Sequence, residues 1–384
     1  MDTYAFVKDR LYCPGPTPVP HASAVAALQT NVYHRTDAFR EKFLYARKLL
    51  GTFFGSSEAP LILTSSGTGA MEAAMVNLTN PKDHILVLNG GKFGERWAKL
   101  GSAYQCEITA YEFPWGESPN IDRITELLRA HPDIKAVFLQ ANETSTGVAY
   151  PIKSIAAAIR AVSKAYIVVD AISALIAHNL PMDELHLDCL LTGSQKGFGI
   201  PPGLAFIALS DRAWLNLSSR PKFYFDLKKE REGQAKGETA WTPATTLIES
   251  LIPSLEILTK LGPDACEKHH ARLAIACQKA ATAMGLNLFS KAHHSHALTA
   301  IELPNGMDGS KLLKYCRVRF GTVFAGGQDH LKGKIIRLAH LGVVDELDLL
   351  AGIAALEMGL KKLGHSSKLG VGIGAAMESL NASE

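Results

Sequence analysis

The chain is sparing with the features that would mark it as secreted, membrane-bound or nucleic-acid-binding. It has six cysteines, Cys13, Cys106, Cys189, Cys266, Cys277 and Cys316, and no two of them form a C-x-x-C pair. Scattered thiols in a chain of 384 residues do not make a disulfide framework; they predict buried thiols in a reducing compartment. No uncharged apolar run approaches the ~18–20 residues of a membrane-spanning helix. The opening MDTYAFVKDRLY carries Asp2, Lys8, Asp9 and Arg10, so the apolar centre of a signal peptide is missing. The closing NASE is not an address or lipidation signal. Charge of one sign is also lacking. Lys plus Arg number 40 and Asp plus Glu 37, a net +3 spread along the chain. That excess gives no electrostatic case for nucleic acid or a membrane surface. Internal repeats and low-complexity tracts are absent as well. The expectation is a cytoplasmic protein with small-molecule substrates.

What is present is core material. Hydrophobic residues make up 47% and charged residues 20%, enough for a large core and incompatible with a disordered chain. The length predicts two domains. Residues 12–20, YCPGPTPVP, hold four prolines and predict an extended arm. From residue 61, short apolar runs alternate with helical patterns. Strands are predicted at 61–66, 84–91, 108–113, 135–140, 166–170, 188–194 and 204–210, with helices at 70–78, 93–104, 122–131 and 152–165 between them. This alternation predicts an α/β fold, a mostly parallel sheet covered by helices on both faces. Ligands in such sheets sit at the C-terminal strand ends. Residues 211–240 read as charged and irregular. Thr242-Pro243 reads as an N-cap followed by proline at the first helical position, opening a long helix kinked at Pro253. Longer helices (265–284 and 344–363) then surround strands at 297–303, 318–325 and 334–340. The domains are placed at 1–20 for the arm, 21–255 for a large domain and 256–384 for a smaller α+β domain.

The stretch that carries chemistry is VVDAISALIAHNLPMDELHLDCLLTGSQKGFGIPPGLAF (168–206). Asp170 ends a β-branched strand. Lys196 follows another apolar strand, in a turn rich in Gly and Pro. Either residue alone is most simply a solvated charge. Together, at two strand ends of one sheet, they suit pyridoxal phosphate. A lysine amine can form a Schiff base with its aldehyde, and a carboxylate can hold its ring nitrogen protonated. SSGTG (65–69), between a strand and a helix, frees the backbone to approach an anion at a helix N-terminus. It lacks the lysine of a P-loop and the G-x-G-x-x-G spacing of a dinucleotide site, which argues against nucleotide hydrolysis and NAD.

Longer motifs sharpen this reading. TGSQKGFGIPPGLAFI, PGPTPVP (14–20), SSGTGAMEAAMVNL (65–78), NGGKFGERW (89–97), NETSTGV (142–148), VVDAISAL (168–175), TPAT (242–245) and GKIIRLAHLG (333–342) resemble, in order, the class V aminotransferases of pyridoxal phosphate fold type I. The resemblance is strongest to the alanine–glyoxylate and serine–pyruvate branch. It implies a homodimer with shared sites that moves an amino group from a small amino acid, alanine or serine, to a 2-oxo acid such as glyoxylate or pyruvate. Aspartate is an alternative donor. By resemblance Lys196 is the Schiff-base lysine and proton carrier, and Asp170 pairs with the pyridine nitrogen. Ser66, Gly67, Thr68 and Gln195 meet the phosphate. Phe93 stacks on the ring and Ile172 packs on its other face. Thr144 approaches the phenolic oxygen, Thr242 reaches the phosphate from the neighbouring subunit, and Arg337 forks the substrate α-carboxylate. Some relatives carry Trp, His and Tyr where this chain has Phe93, Thr68 and Thr239, so its phosphate cup differs from theirs. No second arginine stands out for a side-chain carboxylate, which favours small neutral donors.

The other candidates read as structural. His293, His294 and His296 form a dense HHSH cluster without helical spacing or a nearby carboxylate, so no metal site is expected. Cys189, on the strand leading to Lys196, reads as core. A lyase or cysteine desulfurase could use the same fold, the latter with a mobile-loop cysteine. Cys316 is the nearest candidate but lies in the helical pattern SKLLKYC. The run Lys228, Lys229, Arg231 alternates with Glu230 and Glu232 and reads as a solvated face.

Overall fold

The computed structural model describes residues 7–28 and 32–382. In chain order the strands are β1 (Arg10–Tyr12), β2 (Leu61–Thr64), β3 (His84–Asn89), β4 (Glu107–Glu112), β5 (Ala136–Gln140), β6 (Asn142–Glu143), β7 (Val148–Ala149), β8 (Tyr166–Asp170), β9 (Cys189–Gly193), β10 (Leu204–Leu209), β11 (Leu298–Glu302), β12 (Thr322–Gly326) and β13 (Ile335–Ala339). Seven of them form one sheet in the order β2-β10-β9-β8-β5-β3-β4. Only β10 runs against its neighbours, so β2, β9, β8, β5 and β3 all point the same way.

Alternation along these strands sorts the core. Ile62, Leu86, Leu88, Val137, Leu139, Ile167, Val169 and Phe206 pack on one face with Phe39, Phe43 and Phe54. Leu61, Leu63, Ile85, Val87, Phe138, Val168, Leu191 and Ile207 pack on the other with Met71 and Trp97. Both faces are dry, which is why the strands read as continuous β-branched runs. A second sheet, β1-β12-β13-β11, is covered by helices Pro263–Ala283, Gly309–Phe320, Glu346–Lys362 and Val371–Asn381 around its own core.

Several local expectations fail for identifiable reasons. Val318, Arg319 and Phe320 close a helix instead of opening a strand, because Gly321 at φ 62° caps that helix in the left-handed region. The long helix starts at Thr245 with Ala244 as its N-cap, two residues beyond the Thr242-Pro243 start. The Ala244 N–H is drawn instead to the Thr64 hydroxyl (3.1 Å), and the Thr245 N–H closes a turn on the Pro243 carbonyl (2.9 Å). The helix runs on through Pro253 to Leu261. The supposedly irregular charged segment contains a helix, Leu227–Gln234, capped by the Asp226 carboxylate. The Gly- and Ala-rich helix Val371–Asn381 is a further element that the sequence reading did not anticipate. The proline arm is more than a spacer. Its β1 joins the second sheet beside β12, and its Thr17 hydroxyl donates to the Lys196 carbonyl at 2.8 Å. Among the cysteines, four are buried, whereas Cys13 and Cys106 are partly exposed.

Candidate active site

Five like-directed strands end along one edge of the large sheet, and the loops leaving them line one cavity. From β2 come Ser66, Gly67 and Thr68; from β3, Phe93 and Arg96; from β5, Asn142 and Thr144; from β8, Asp170, Ile172 and Ser173; from β9, Gln195 and Lys196. Nine positions singled out in the sequence are therefore gathered in one place. Gly67 is needed there by close approach, since a Cβ at this position would lie 2.6 Å from Ile172 Cδ1.

Asp170 is the last residue of β8, buried, and accepts the Ile172 N–H at 2.8 Å. Burial pushes its carboxyl up from 3.8 to about 7, against the attraction of Arg96 and Lys196. Lys196 donates to the Pro14 carbonyl of the N-terminal arm. Its ammonium is lowered from 10.5 to about 8, chiefly by burial and further by the charges of Arg337 and Arg96. Gly15, at φ 105°, lets the arm pass this close, because a Cβ there would fall 2.5 Å from Lys196 Nζ. The cavity thus pairs an amine that titrates near neutrality with a carboxyl that does the same, the combination expected of acid–base chemistry.

Arg337, on β13, lies beside the cavity. Its Nε donates to the Gly326 carbonyl (3.0 Å) and its Nη1 to the Thr144 carbonyl (2.9 Å), which orients a buried guanidinium within electrostatic reach of Lys196. Thr242 is not among the cavity residues. It lines a separate hollow with Thr64, Tyr224, Thr239 and Trp241.

Four residues of the site escaped the sequence reading. Arg96 donates to Thr68 Oγ1 at 3.0 Å and lies over the Phe93 ring, 4.8 Å from its centroid. Its three-residue spacing from Phe93 was the available signal. Asn142 donates to Ser173 Oγ (2.9 Å), which shares a hydrogen bond with Thr144 Oγ1 (2.6 Å). Glu143 is fully buried and accepts the N–H groups of Phe93 (3.1 Å) and Gly94 (3.2 Å), anchoring the start of the helix that carries Phe93 and Arg96. It sits inside the NETSTGV motif beside Thr144, where the sequence alone gives no sign of the backbone groups it binds.

The histidine cluster gains a carboxylate that the sequence did not reveal. His296 stacks on His178 (4.3 Å between centroids), with Glu267 3.7 Å from His296 Nδ1 and 3.8 Å from His178 Nδ1. The His296 N–H donates to His178 Nε2 at 3.2 Å, so a neutral His178 carries its proton on Nδ1, the nitrogen facing Glu267. That tautomer offers Glu267 a donor, not a metal a lone pair. Cys316 is buried in the helix Gly309–Phe320 with its thiol against the Ala355 carbonyl, and its pKa is raised to about 12 by burial, the opposite of a mobile nucleophile.

The cavity fits a phosphorylated pyridine aldehyde on its own chemistry. Ser66 is the N-cap of the helix Gly67–Leu78, yet its side chain makes no capping bond. Oε1 of Gln195 and Oδ1 of Asn142 are buried acceptors without partners, open to donors of a bound group, and turning the Gln195 amide would present its N–H to a phosphate. The first-turn N–H groups of a 12-residue helix point to the same end.

The family pattern described as "Aminotransferase class-V" matches residues 21–332. The chain is 40% identical to a protein of Anabaena cylindrica named soluble hydrogenase 42 kDa subunit, over 95% of this chain and 97% of that one. It is 32% identical to the L-aspartate–glyoxylate aminotransferase of Paracoccus denitrificans, over 96% of this chain and 95% of the other. Its fold is similar to the crystal structure of pyridoxamine–pyruvate aminotransferase from Mesorhizobium loti, with a TM-score of 0.94, 26% identity and 98% of both chains covered. Among the described residues, no helix is long and apolar enough to cross a membrane. The chain belongs to the class V aminotransferases of fold type I, enzymes that use pyridoxal phosphate to move an amino group from an amino acid to a 2-oxo acid.

Proposed function

We propose that this aminotransferase takes its amino group from alanine or serine and delivers it to glyoxylate or pyruvate, as a cytoplasmic homodimer with shared sites. The observation that carries the reading is the single cavity formed by Lys196, Asp170 and the 66–68 turn, with Arg337 fixed beside Thr144. Residues 21–255 serve as the cofactor-binding unit and 256–384 as the smaller unit that brings Arg337.

When bound, the cofactor's ring delocalises the electron pair left by loss of the substrate Cα proton. The chain's residues do the rest. Ser66, Gly67, Thr68 and Gln195 hold the phosphate, joined by Thr242 of the partner subunit. Phe93 and Ile172 hold the ring between them, and Thr144, poised by Ser173 and Asn142, donates to its phenolic oxygen. Asp170 ionises against the ring nitrogen and keeps a proton there. Arg337 orients the α-carboxylate so that the Cα proton faces Lys196. Lys196 takes that proton. Its lowered pKa, about 8, leaves a useful fraction of neutral amine near pH 7.

Small neutral donors are favoured because Arg337 is the guanidinium set for the α-carboxylate, while Arg96 is held at the Thr68 turn, where the phosphate is placed. The test is a half-reaction screen that follows the cofactor's absorbance on adding each amino acid alone. Alanine or serine should convert it fastest. Aspartate converting it at least tenfold faster than either would overturn the donor assignment.

A further inference from the structure

We infer that Arg96 is a phosphate-binding residue of the cofactor site and does not read a substrate side chain. This rests on the reading of the cavity as the cofactor site. Arg96 stands three residues after Phe93 on the helix Lys92–Ala103, so both side chains leave the same face. Its Nη1 reaches Thr68 Oγ1 at 3.0 Å, and its guanidinium lies 4.8 Å over the Phe93 ring. It is thereby tied to the first turn of the helix Gly67–Leu78, where backbone N–H groups converge and the Ser66 side chain makes no capping bond. An anion at that turn meets the helix N–H groups and a guanidinium fork together, the arrangement that suits a phosphate dianion.

The two arginines serve opposite ends of the cavity. Arg96 is tied to the loop after β2, at one edge of the sheet; Arg337 is tied to Thr144, after β5 and β6. Between β2 and β5 in the sheet lie β10, β9 and β8, and the last two of these lead into Lys196 and Asp170. The α-carboxylate belongs with Arg337 and the phosphate with Arg96. The charge balance agrees, since a cavity that takes a phosphate dianion as well as Asp170 needs a cation besides Lys196, and Arg96 is close enough to act on both Asp170 and Lys196.

The test uses apoprotein and two probes without an aldehyde, pyridoxamine 5′-phosphate and pyridoxamine, titrated by calorimetry or by quenching of protein fluorescence. For Arg96→Gln, affinity for the phosphorylated probe should fall about 10- to 100-fold, with affinity for pyridoxamine unchanged. Arg96→Lys should fall in between, since it keeps the charge and loses the fork. Equal losses for both probes would overturn the inference. So would an unchanged affinity for the phosphorylated probe accompanied by a raised KM for aspartate alone. Should Arg96→Gln fail to fold, the same two titrations on Arg96→Lys decide, a loss confined to the phosphorylated probe supporting the inference and equal or absent losses ending it. If wild-type apoprotein binds neither probe, the reading of the cavity fails; if it binds both and Arg96→Gln matches it, only the role of Arg96 fails.

Discussion

The helices Gly67–Leu78 and Thr245–Leu261 begin with the same promise, a hydroxyl residue at an N-terminus ready for a phosphate oxygen. In the fold they part company. Ser66 and Thr68 face the cavity beside Lys196, and the Ser66 side chain makes no capping bond. Thr242 precedes its helix by a turn and lines a different hollow, among Tyr224, Thr239 and Trp241. The difference shows what one chain can supply. The first helix completes its own half of a site. The second leaves Thr242 outside that cavity, so under the proposed reading its contact with a phosphate would have to be made in a partner's site.

The largest effect should come from Lys196→Ala. In the proposed function one group supplies both nucleophile and base, so turnover should drop by about 1,000-fold or more, with the fold intact by circular dichroism. Retention of a tenth of the activity would show that another amine does the work. Asp170→Asn should follow closely, losing about 100-fold or more in turnover, because a neutral amide cannot hold the ring nitrogen protonated.

Subunit mixing addresses the two helix starts directly. A Thr242→Ala chain and a Lys196→Ala chain, exchanged into hybrids, yield one site with both defects and one with neither if Thr242 acts in trans. At cofactor levels too low to fill Thr242→Ala, random exchange should restore about a quarter of wild-type activity. No recovery despite proven exchange, or a monomer in sedimentation, would place Thr242 in a purely local role.

Arg337→Lys should weaken capture of every donor by about 1.5–3 kcal/mol in kcat/KM while leaving cofactor affinity alone. An unchanged kcat/KM would remove Arg337 from the clamp.

The remaining effect is on the stability of the apoprotein and not on turnover. Asp170 has a folded pKa of about 7 against 3.8, so the native state keeps a proton that the unfolded chain releases between those values. Its stabilising contribution is therefore full below about pH 4 and lost as pH climbs to about 7, a fall of roughly 2–4 kcal/mol. Asp170→Asn should remove that slope in denaturant titrations taken at several pH values. An equal slope in both proteins would contradict the assigned burial.

Much of this molecule was legible in the sequence because its large sheet is buried on both faces, which makes β5, β8 and β9 apolar runs with a charged or glycine-rich punctuation at the end that matters. The single-residue punctuation marks, Asp170 and Lys196, stand out in the sequence, and the fold brings both into one cavity. Residues whose role depends on three-dimensional neighbours could not. Arg96 looks like one more helix-surface arginine until Thr68 is seen beside it, and Glu143 looks like a loop acid until the Phe93 and Gly94 N–H groups are found on it. The start of the helix Thr245–Leu261 was misread because local capping rules favoured Thr242-Pro243, while a long-range bond to Thr64 decided the matter. The Phe320–Gly321 boundary was missed because β-branched and aromatic residues suggested a strand where glycine ends a helix.

The most direct test of the central claim is borohydride reduction of the holoenzyme, followed by peptide mapping of the fixed cofactor. The label is predicted on Lys196, in the peptide TGSQKGFG, with no other lysine modified in stoichiometric amount. Stoichiometric label on any other lysine would contradict the assignment of the site.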